Sequence, residues 1–411
     1  TTEIYTLSLH DALPIWEIER SLRRNKAFVD SVKNAVTTVQ TGVVVIDPKT
    51  GAILGMMGAS PKFMRENPSA KYSLNHATQI RRQPGSSFKP FLYASALEQG
   101  MSPNSPVECG PYSYKMPEGG VWSPKGNGGC TDGDTVTLAD GLARSINTVA
   151  ARLITQHTDP EKVIAVAKRL GIDARYLKPV PSLSLGSGEV SPIEMTSAFG
   201  VFANDGIYVE PYLITKIEDK FGNVIYERKS AQKLKEAISP SIAHKMTAMM
   251  QKVVDGGTAH KVRENFKNCD AAGKTGTTND YADAWFIGYT PQLVAGVWVG
   301  FDDRRITFTG GYGYAGQVAV PLWAKFMAGI YSDRKLPYKQ RKFSLGYKDS
   351  IIVADGINAD SGAVYEDVPD DGVLKETPLD TTKKNPDTQK RDESAKDEHL
   401  DALINNKKEY E

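Results

Sequence analysis

The chain has 411 residues, of which 40% are hydrophobic and 24% charged, and its formal net charge is +1. This composition is typical of a globular protein and excludes a fibrous or wholly disordered chain. The small net charge gives no support to nucleic acid or another polyanion as a partner. The length suffices for one large domain or two ordinary ones. No run approaches the roughly 18 apolar residues of a membrane span.

The first fifteen residues, TTEIYTLSLHDALPI, match the translation of a common sequencing-library adapter. We therefore expect residues 1–15 to be an adapter-derived artefact that contributes nothing to the fold. Residues 16–40 are charged and helical in pattern, and we interpret them as a connector from a missing upstream domain. Any signal or membrane anchor would then precede Trp16.

Strands are predicted near both ends of the globular part. Two β-rich runs flank the turn sequence DPKTG, which predicts a β-hairpin over residues 42–58. Residues 88–254 are mostly helical patches separated by Gly/Pro loops. Two more strands are predicted within residues 281–303, and a helix follows near VPLWAKFMAGIY. This order predicts one sheet whose halves are distant in sequence, covered by helices that also form a second lobe.

The C-terminal part of the chain divides into two segments. Residues 336–375 contain the run SIIVADGINADSGAVYEDV, and we expect a small β-rich extension there. Residues 376–411 are charged and poor in aromatic side chains, so we expect a disordered tail.

The three cysteines give no sign of a metal site. Cys109 and Cys130 bracket a Gly/Pro-rich loop that a disulfide could staple, but their spacing alone does not decide whether they pair. Cys269 has no neighbouring histidine or second thiol, and we expect a buried small hydrophobe. No His/Cys cluster has metal-ligand spacing, so we expect neither a metal nor an organic cofactor.

Two serines precede one lysine in RRQPGSSFKPF, where a Pro-Gly turn meets an apolar helical segment. Ser86 and Lys89 are three residues apart and would share one face of a helix, whereas Ser87 would point away from the lysine. A partly buried lysine at this position could lose its proton and activate Ser86 as a nucleophile. An isolated S-x-x-K also fits a helix cap beside a surface lysine, so this motif alone is weak.

Two further motifs lie at element boundaries. Ser145 and Asn147 fall between two helical stretches. Much later, the run KTGTT lies at a strand edge, where Gly276 would let a ligand approach the backbone and the hydroxyls would hold a carboxylate. Each motif alone also has a structural explanation. In this order they match the S-x-x-K, S-x-N, K-T-G pattern of penicillin-recognising acyl transferases.

Residues 41–327 resemble the transpeptidase domain of class A penicillin-binding proteins, the enzymes that cross-link bacterial peptidoglycan. The resemblance rests on NHATQIRRQPGSSFKPFLYASALEQG, LGSGEVSPIEMTSAFGVFANDG and AAGKTGTTNDYADAWFIGYTPQLVAGVWVGFDD. It implies an α/β fold of the α+β type, similar to serine β-lactamases, with an antiparallel sheet flanked by helices and a mostly helical lobe. The transpeptidase domain would span residues 41–335. One departure is KGNGG after Pro124, where relatives place an asparagine and an aromatic residue sooner.

The resemblance implies catalytic roles for the first two motifs. Ser86 would attack the carbonyl between the two terminal D-alanines of a stem peptide. Lys89 would take the proton of the Ser86 hydroxyl. Ser145 would relay a proton to the leaving D-alanine, and Asn147 would orient Lys89 and the substrate amide.

The remaining implied site residues line the opposite wall or contact the substrate: Lys274, Thr275, Gly276, Thr277, Thr278 and Trp122. Lys274 would belong to the catalytic groups. Thr277 and Thr278 would bind the terminal carboxylate. The backbone N–H groups of Ser86 and Thr277 would form the oxyanion hole.

These roles imply a serine D,D-transpeptidase that acts on the D-Ala-D-Ala stem peptides of peptidoglycan strands and is acylated by β-lactams. A carboxypeptidase, with water as acceptor, and a β-lactam sensor domain are the alternatives. A class A β-lactamase would need a glutamate that drives water onto the ester. The nearest one, Glu194, lies in an apolar helical context without the asparagine partner, so we interpret it as structural.

Class A proteins carry a membrane anchor and a glycosyltransferase domain before the transpeptidase domain. The resemblance therefore implies that this chain is the downstream fragment of a bifunctional protein. The full-length protein would be anchored through its missing part, with this domain on the periplasmic side of the inner membrane.

Overall fold

Five antiparallel strands form the central sheet of the computed structural model, which describes residues 37–66, 74–228, 234–278 and 281–346. The strands are β1 Gln40–Ile46, β2 Ile53–Met57, β3 Ala272–Thr277, β4 Asp283–Tyr289 and β5 Val294–Gly300. Their order across the sheet is β3-β4-β5-β1-β2. The predicted hairpin, the two later strands and the assembly of one sheet from distant segments are therefore confirmed.

Helices cover the sheet and build the second lobe. Those in the described part of the chain are α1 Pro61–Glu66, α2 Lys89–Glu98, α3 Leu138–Ala143, α4 Asn147–Arg152, α5 Pro160–Arg169, α6 Pro192–Ala203, α7 Pro240–Asp255, α8 Val262–Asn265 and α9 Ala315–Ser332. Helix α6 packs on β1 and β5, α7 packs on β3, and α9 packs on β4 and β5. Because both faces are covered, β1, β4 and β5 are buried at every position and read as nearly continuous apolar runs.

Short strand pairs complete the described residues. They are Pro106–Glu108 with Thr135–Thr137, Tyr114–Lys115 with Val121–Trp122, Ile207–Tyr208 with Lys235–Glu236, and Lys216–Glu218 with Val224–Glu227. The sequence predicts no strands in these segments, since each strand is only two to four residues long.

Helix α2 is the centre of the helical lobe and carries the first motif into it. A 3₁₀ turn, Gly85–Phe88, continues directly into α2, whose first nine residues are all buried. The helix packs against α5 and α7. Trp285 on β4 donates a hydrogen bond from Nε1 to Gln83 O at 3.0 Å, which ties the sheet to the segment just before Ser86.

Several predicted segments lie outside the described residues. These are residues 1–15, most of the predicted connector, and the predicted tail 376–411. Of the predicted extension, residues 336–346 are described, and they contain no strand. Within the described residues, no helix combines the length and apolarity needed to cross a membrane.

Candidate active site

Ser86 lies in the 3₁₀ turn before α2 and lines a cleft of about 1350 Å³. The neighbouring Ser87 is fully buried, and its Oγ donates to Pro84 O at 2.7 Å. Gly85 has φ +54°, and a Cβ there would lie 2.6 Å from Thr277 O. The turn therefore presents Ser86 to the cleft and directs Ser87 into the protein.

Lys89 is fully buried beneath the cleft. Its Nζ donates to Ser145 O at 2.7 Å, to Asn147 Oδ1 at 2.9 Å and to Ser145 Oγ at 3.3 Å. Burial, aided by the charge of Lys274, holds the pKa of Lys89 well below its usual range. A lowered pKa makes the neutral amine, which can accept a proton, easier to form, and this is the property that a base requires.

Lys274 approaches the same serine from the opposite wall. It is fully buried, and its Nζ donates to Ser145 Oγ at 3.0 Å and to Thr275 O at 3.1 Å. Burial lowers the pKa of Lys274 to about 7. The Ser145 hydroxyl thus bridges two amines whose pKa values both lie below that of an ordinary lysine, an arrangement suited to proton transfer.

The segment from Ser145 to Asn147, which we call the Ser145 turn, joins α3 to α4. Ser145 has φ +57°, a left-handed conformation that is costly for a residue with a Cβ. Asn147 begins α4, and Asn147 Nδ2 donates to Lys125 O at 3.2 Å. The predicted S-x-x-K and S-x-N motifs therefore meet at one point, through Lys89.

The K-T-G motif lies on β3 at the edge of the sheet, and Thr275, Thr277 and Thr278 line the cleft. Thr275 Oγ1 lies 2.6 Å from Thr258 Oγ1, and Thr277 Oγ1 accepts a hydrogen bond from the backbone N–H of Ala315 at 3.1 Å. The wall predicted to bind substrate is thus a regular strand, and the hydroxyls of Thr275 and Thr277 are positioned by hydrogen bonds to Thr258 and Ala315.

Gly276 contacts the protein itself. A Cβ at this position would lie 2.1 Å from Pro84 O and 2.7 Å from Ser87 Oγ. The glycine lets β3 pack against the turn that carries Ser86, so the structure gives it a packing role, and the approach of a ligand at Gly276 stays a prediction.

Trp122 is half-buried and lines the cleft, on a loop that the structure closes with a disulfide. The Sγ atoms of Cys109 and Cys130 are 2.12 Å apart. Cys269 is a buried free thiol, and burial raises its pKa. Among the described residues, no group of three or more His, Cys, Asp or Glu side chains could hold a metal ion.

Glu194 has the structural role expected from the sequence. It forms a capping box with Ser191 at the start of α6, and Oε2 accepts from Ser191 N at 2.8 Å. Its Oε1 accepts from Arg81 Nη2 at 3.0 Å. Both carboxylate oxygens are therefore engaged, and Glu194 does not line the cleft.

Several residues that shape the cleft were not predicted from the sequence. Asn127 lines it and contacts the Ser145 turn, but its Gly-rich surroundings gave no signal of a site residue. Lys125, Arg144 and Lys261 also line the cleft, and none of its described lining residues is acidic. The cleft is therefore suited to a substrate that carries carboxylates.

The chain is similar to penicillin-binding proteins in its sequence. A family model for the penicillin binding protein transpeptidase domain matches residues 41–327. Penicillin-binding protein 1A of Neisseria lactamica is 36% identical over 332 residues, which are 80% of this chain and 39% of that protein. Penicillin-binding protein 1A of Aquifex aeolicus is 36% identical over 324 residues, which are 77% of this chain and 42% of that protein. The chain thus spans about two-fifths of these curated relatives.

Solved structures agree with the family match. The crystal structure of penicillin-binding protein 1A from Haemophilus influenzae aligns with a TM-score of 0.65 and 29% identity, over 75% of this chain and 49% of that one. The structure of PonA1 from Mycobacterium tuberculosis in complex with penicillin V aligns with a TM-score of 0.60 and 25% identity, over 82% of this chain and 94% of that one. The predicted fold class is confirmed.

Proposed function

Because the chain belongs to the penicillin-binding protein transpeptidase domain family, we propose that it is a serine D,D-transpeptidase. It cross-links peptidoglycan stem peptides through an acyl-enzyme on Ser86, and β-lactams acylate the same serine. The observation that carries the proposal is the pair of buried lysines, Lys89 and Lys274, that meet at the Ser145 hydroxyl. A surface S-x-x-K that merely caps a helix would leave its lysine exposed.

In the acylation step, Ser86 Oγ attacks the carbonyl between the two terminal D-alanines. Its proton passes to neutral Lys89, and the carbonyl oxygen becomes an oxyanion. The backbone N–H groups of Ser86 and Thr277 stabilise that oxyanion, and losing one such donor costs about 3–4 kcal/mol. The intermediate then collapses, the C–N bond breaks, and the proton reaches the leaving D-alanine amine through Ser145.

The wall of the cleft formed by β3 and Thr278, which we call the strand wall, binds the end of the stem peptide. The hydroxyls of Thr277 and Thr278 hold its terminal carboxylate, and Lys274 supplies positive charge beneath them. This role is supported by the basic lining of the cleft, which includes Lys125 and Arg144.

The second half-reaction transfers the acyl group to an amine. A side-chain amine from a neighbouring peptidoglycan strand attacks the Ser86 ester, loses a proton and releases the Ser86 hydroxyl. Water as acceptor would make the protein a D,D-carboxypeptidase. The engaged carboxylate of Glu194 favours a slowly hydrolysed ester over the rapid turnover of a class A β-lactamase.

The family also supplies a proposal for the rest of the protein. Because the chain spans about two-fifths of its curated relatives, we infer a longer protein with a glycosyltransferase domain and a membrane anchor upstream. The transpeptidase domain would then work on the periplasmic side of the inner membrane.

The proposal is tested by intact-mass measurement of the 411-residue chain after incubation with penicillin, followed by peptide mapping. A long-lived adduct on Ser86 is expected, and Ser86→Ala should abolish it. Ser87→Ala is the matched control, because Ser87 is buried and points away from the cleft. No adduct on folded protein would refute the proposal.

A second assay separates the alternatives. Release of D-alanine from a stem pentapeptide that increases with added acceptor amine, together with a cross-linked product, indicates a transpeptidase. Release of D-alanine at a rate that does not depend on the acceptor amine indicates a carboxypeptidase. A stable β-lactam adduct without any D-alanine release indicates a sensor.

A further inference from the structure

One side chain outside the three motifs links both ends of the Ser145 turn. Asn127 Nδ2 donates to Ser145 O at 2.9 Å, and Asn127 Oδ1 accepts from the backbone N–H of Asn147 at 2.7 Å. Asn127 therefore closes a ring across the three residues of the S-x-N motif.

Backbone hydrogen bonds from Ser145 N to Leu142 O at 3.0 Å and from Ile146 N to Gly141 O at 2.9 Å hold part of the Ser145 turn, and side chains hold its carbonyl. Ser145 adopts φ +57°, which an isolated serine rarely does. Its carbonyl accepts from Lys89 Nζ at 2.7 Å as well as from Asn127. If the turn relaxed, Ser145 Oγ would leave its position between Lys89 and Lys274, which are 3.3 and 3.0 Å from it.

Asn127 lies on a largely exposed loop, residues 109–130, which we call the disulfide loop. Lys125, Gly126 and Asn127 itself are exposed, so packing contributes little to the position of this side chain. The loop is closed three residues later by the disulfide between Cys130 and Cys109.

The closed end of the disulfide loop is bonded to α4, the helix that begins at Asn147. Thr148 Oγ1 donates to Cys109 O at 2.6 Å, and Arg152 Nη1 donates to Gly110 O at 3.0 Å. The disulfide thereby fixes the Asn127 segment to the same helix whose first residue Asn127 contacts.

We propose that Asn127 is a positioning residue for the proton relay, and that the Cys109–Cys130 disulfide acts on catalysis by holding Asn127 against the Ser145 turn. This inference rests on the proposed function, since it concerns acylation of Ser86. It also makes the acylation rate sensitive to the redox state of the disulfide.

The test measures acylation of the full chain by a fluorescent penicillin, with the rate constant at saturation separated from the half-saturating concentration. Asn127→Ala should lower the rate constant about tenfold, the scale of two lost hydrogen bonds. The half-saturating concentration should stay near the wild-type value, and the melting temperature should fall by only a few degrees, as expected for two lost hydrogen bonds. Ser113→Ala, an exposed serine in the same loop that bonds only Ser123 Oγ among its described partners, should behave as wild type.

The link to the disulfide is tested by combining variants. Cys109→Ala with Cys130→Ala should cause at most the loss caused by Asn127→Ala, and the triple variant should lose no more than Asn127→Ala alone. If the double cysteine variant does not fold, reduction of the folded wild type with dithiothreitol replaces it. Losses that multiply would show that the disulfide acts independently of Asn127 and would overturn the inference.

Failure of the inference is distinct from failure of the proposed function. A reactive wild type with an equally reactive Asn127→Ala variant overturns only the positioning role. A wild type that forms no Ser86 adduct overturns the proposed function, and this inference with it.

Discussion

The two walls of the cleft hold their functional groups by different means. On the strand wall, Lys274 and the threonines are placed by the register of β3 against β4, in which Lys274 pairs with Ile287 and Gly276 pairs with Trp285. On the opposite wall, Ser145 occupies a left-handed turn whose carbonyl is held by two side chains. A wall built from backbone pairing is sensitive to added volume, whereas a wall built from side-chain hydrogen bonds is sensitive to the loss of single atoms.

The strand wall should be disrupted by an added side-chain atom at the point where β3 contacts the turn that carries Ser86. We expect Gly276→Ala to lower acylation by at least about a hundredfold and to destabilise the fold by about 2–3 kcal/mol. The reason is that its Cβ would lie 2.1 Å from Pro84 O. Penicillin acylation and chemical denaturation measure the two effects.

Gly55→Ala is the matched control for that prediction. Gly55 lies on β2 of the same sheet, and its Cβ would meet only Val45 Cγ2 and Cβ, at 3.8 and 3.9 Å. Equal losses in both variants would mean that any glycine replacement weakens this sheet, and that the contact with Pro84 has no special role.

The two walls should also be coupled electrostatically. The charge of Lys274 contributes to the lowered pKa of Lys89, so Lys274→Met should raise the pKa of Lys89. Acylation requires neutral Lys89 in our proposal, and the acid limb of its pH profile should therefore move to higher pH. The exposed Lys168→Met variant is the control, and an unmoved limb in Lys274→Met would contradict the coupling.

The lowered pKa of Lys274 should also make the stability of the protein depend on pH. The pKa of Lys274 is about 7 in the folded protein and 10.5 in an ordinary lysine, so between these values the unfolded chain binds one more proton. The free energy of unfolding should therefore rise with pH in that window, by about 1.4 kcal/mol per unit from this residue, and fall as the pH approaches 7. Denaturant titrations at pH 8 and 9 should show a smaller rise in Lys274→Met.

The smallest expected effect is a difference in stability between two variants of Ser145, in the wall opposite β3. Ser145→Ala and Ser145→Gly both remove the hydroxyl between the lysines, so both should lose acylation to a similar extent. They should differ in stability, with the glycine variant more stable by about 1 kcal/mol, because glycine tolerates the positive φ of this position. Equal melting temperatures for the two variants would show that the turn is not strained.

Much of the fold and site follows from local patterns. The hairpin predicted over residues 42–58 is visible because two β-rich runs flank a Pro/Gly turn. Glu194 was correctly assigned a structural role, since Ser191 three residues earlier completes a capping box. Pairing of Cys109 with Cys130 was left open by their spacing, and the structure contains the bond.

The amino-acid order alone therefore identifies the family and the three motifs, and it predicts which serine is the nucleophile, because these depend on short spacings and on residue types that the chemistry requires. The amino-acid order does not determine where the side chains of Lys89 and Lys274 lie in the folded protein. Lys89 and Lys274 are 185 residues apart, and their meeting at Ser145 depends on β3 packing against the turn before α2. Asn127 escaped notice for the same reason, since a side chain on a Gly-rich loop acquires its partners only when the loop folds over α4.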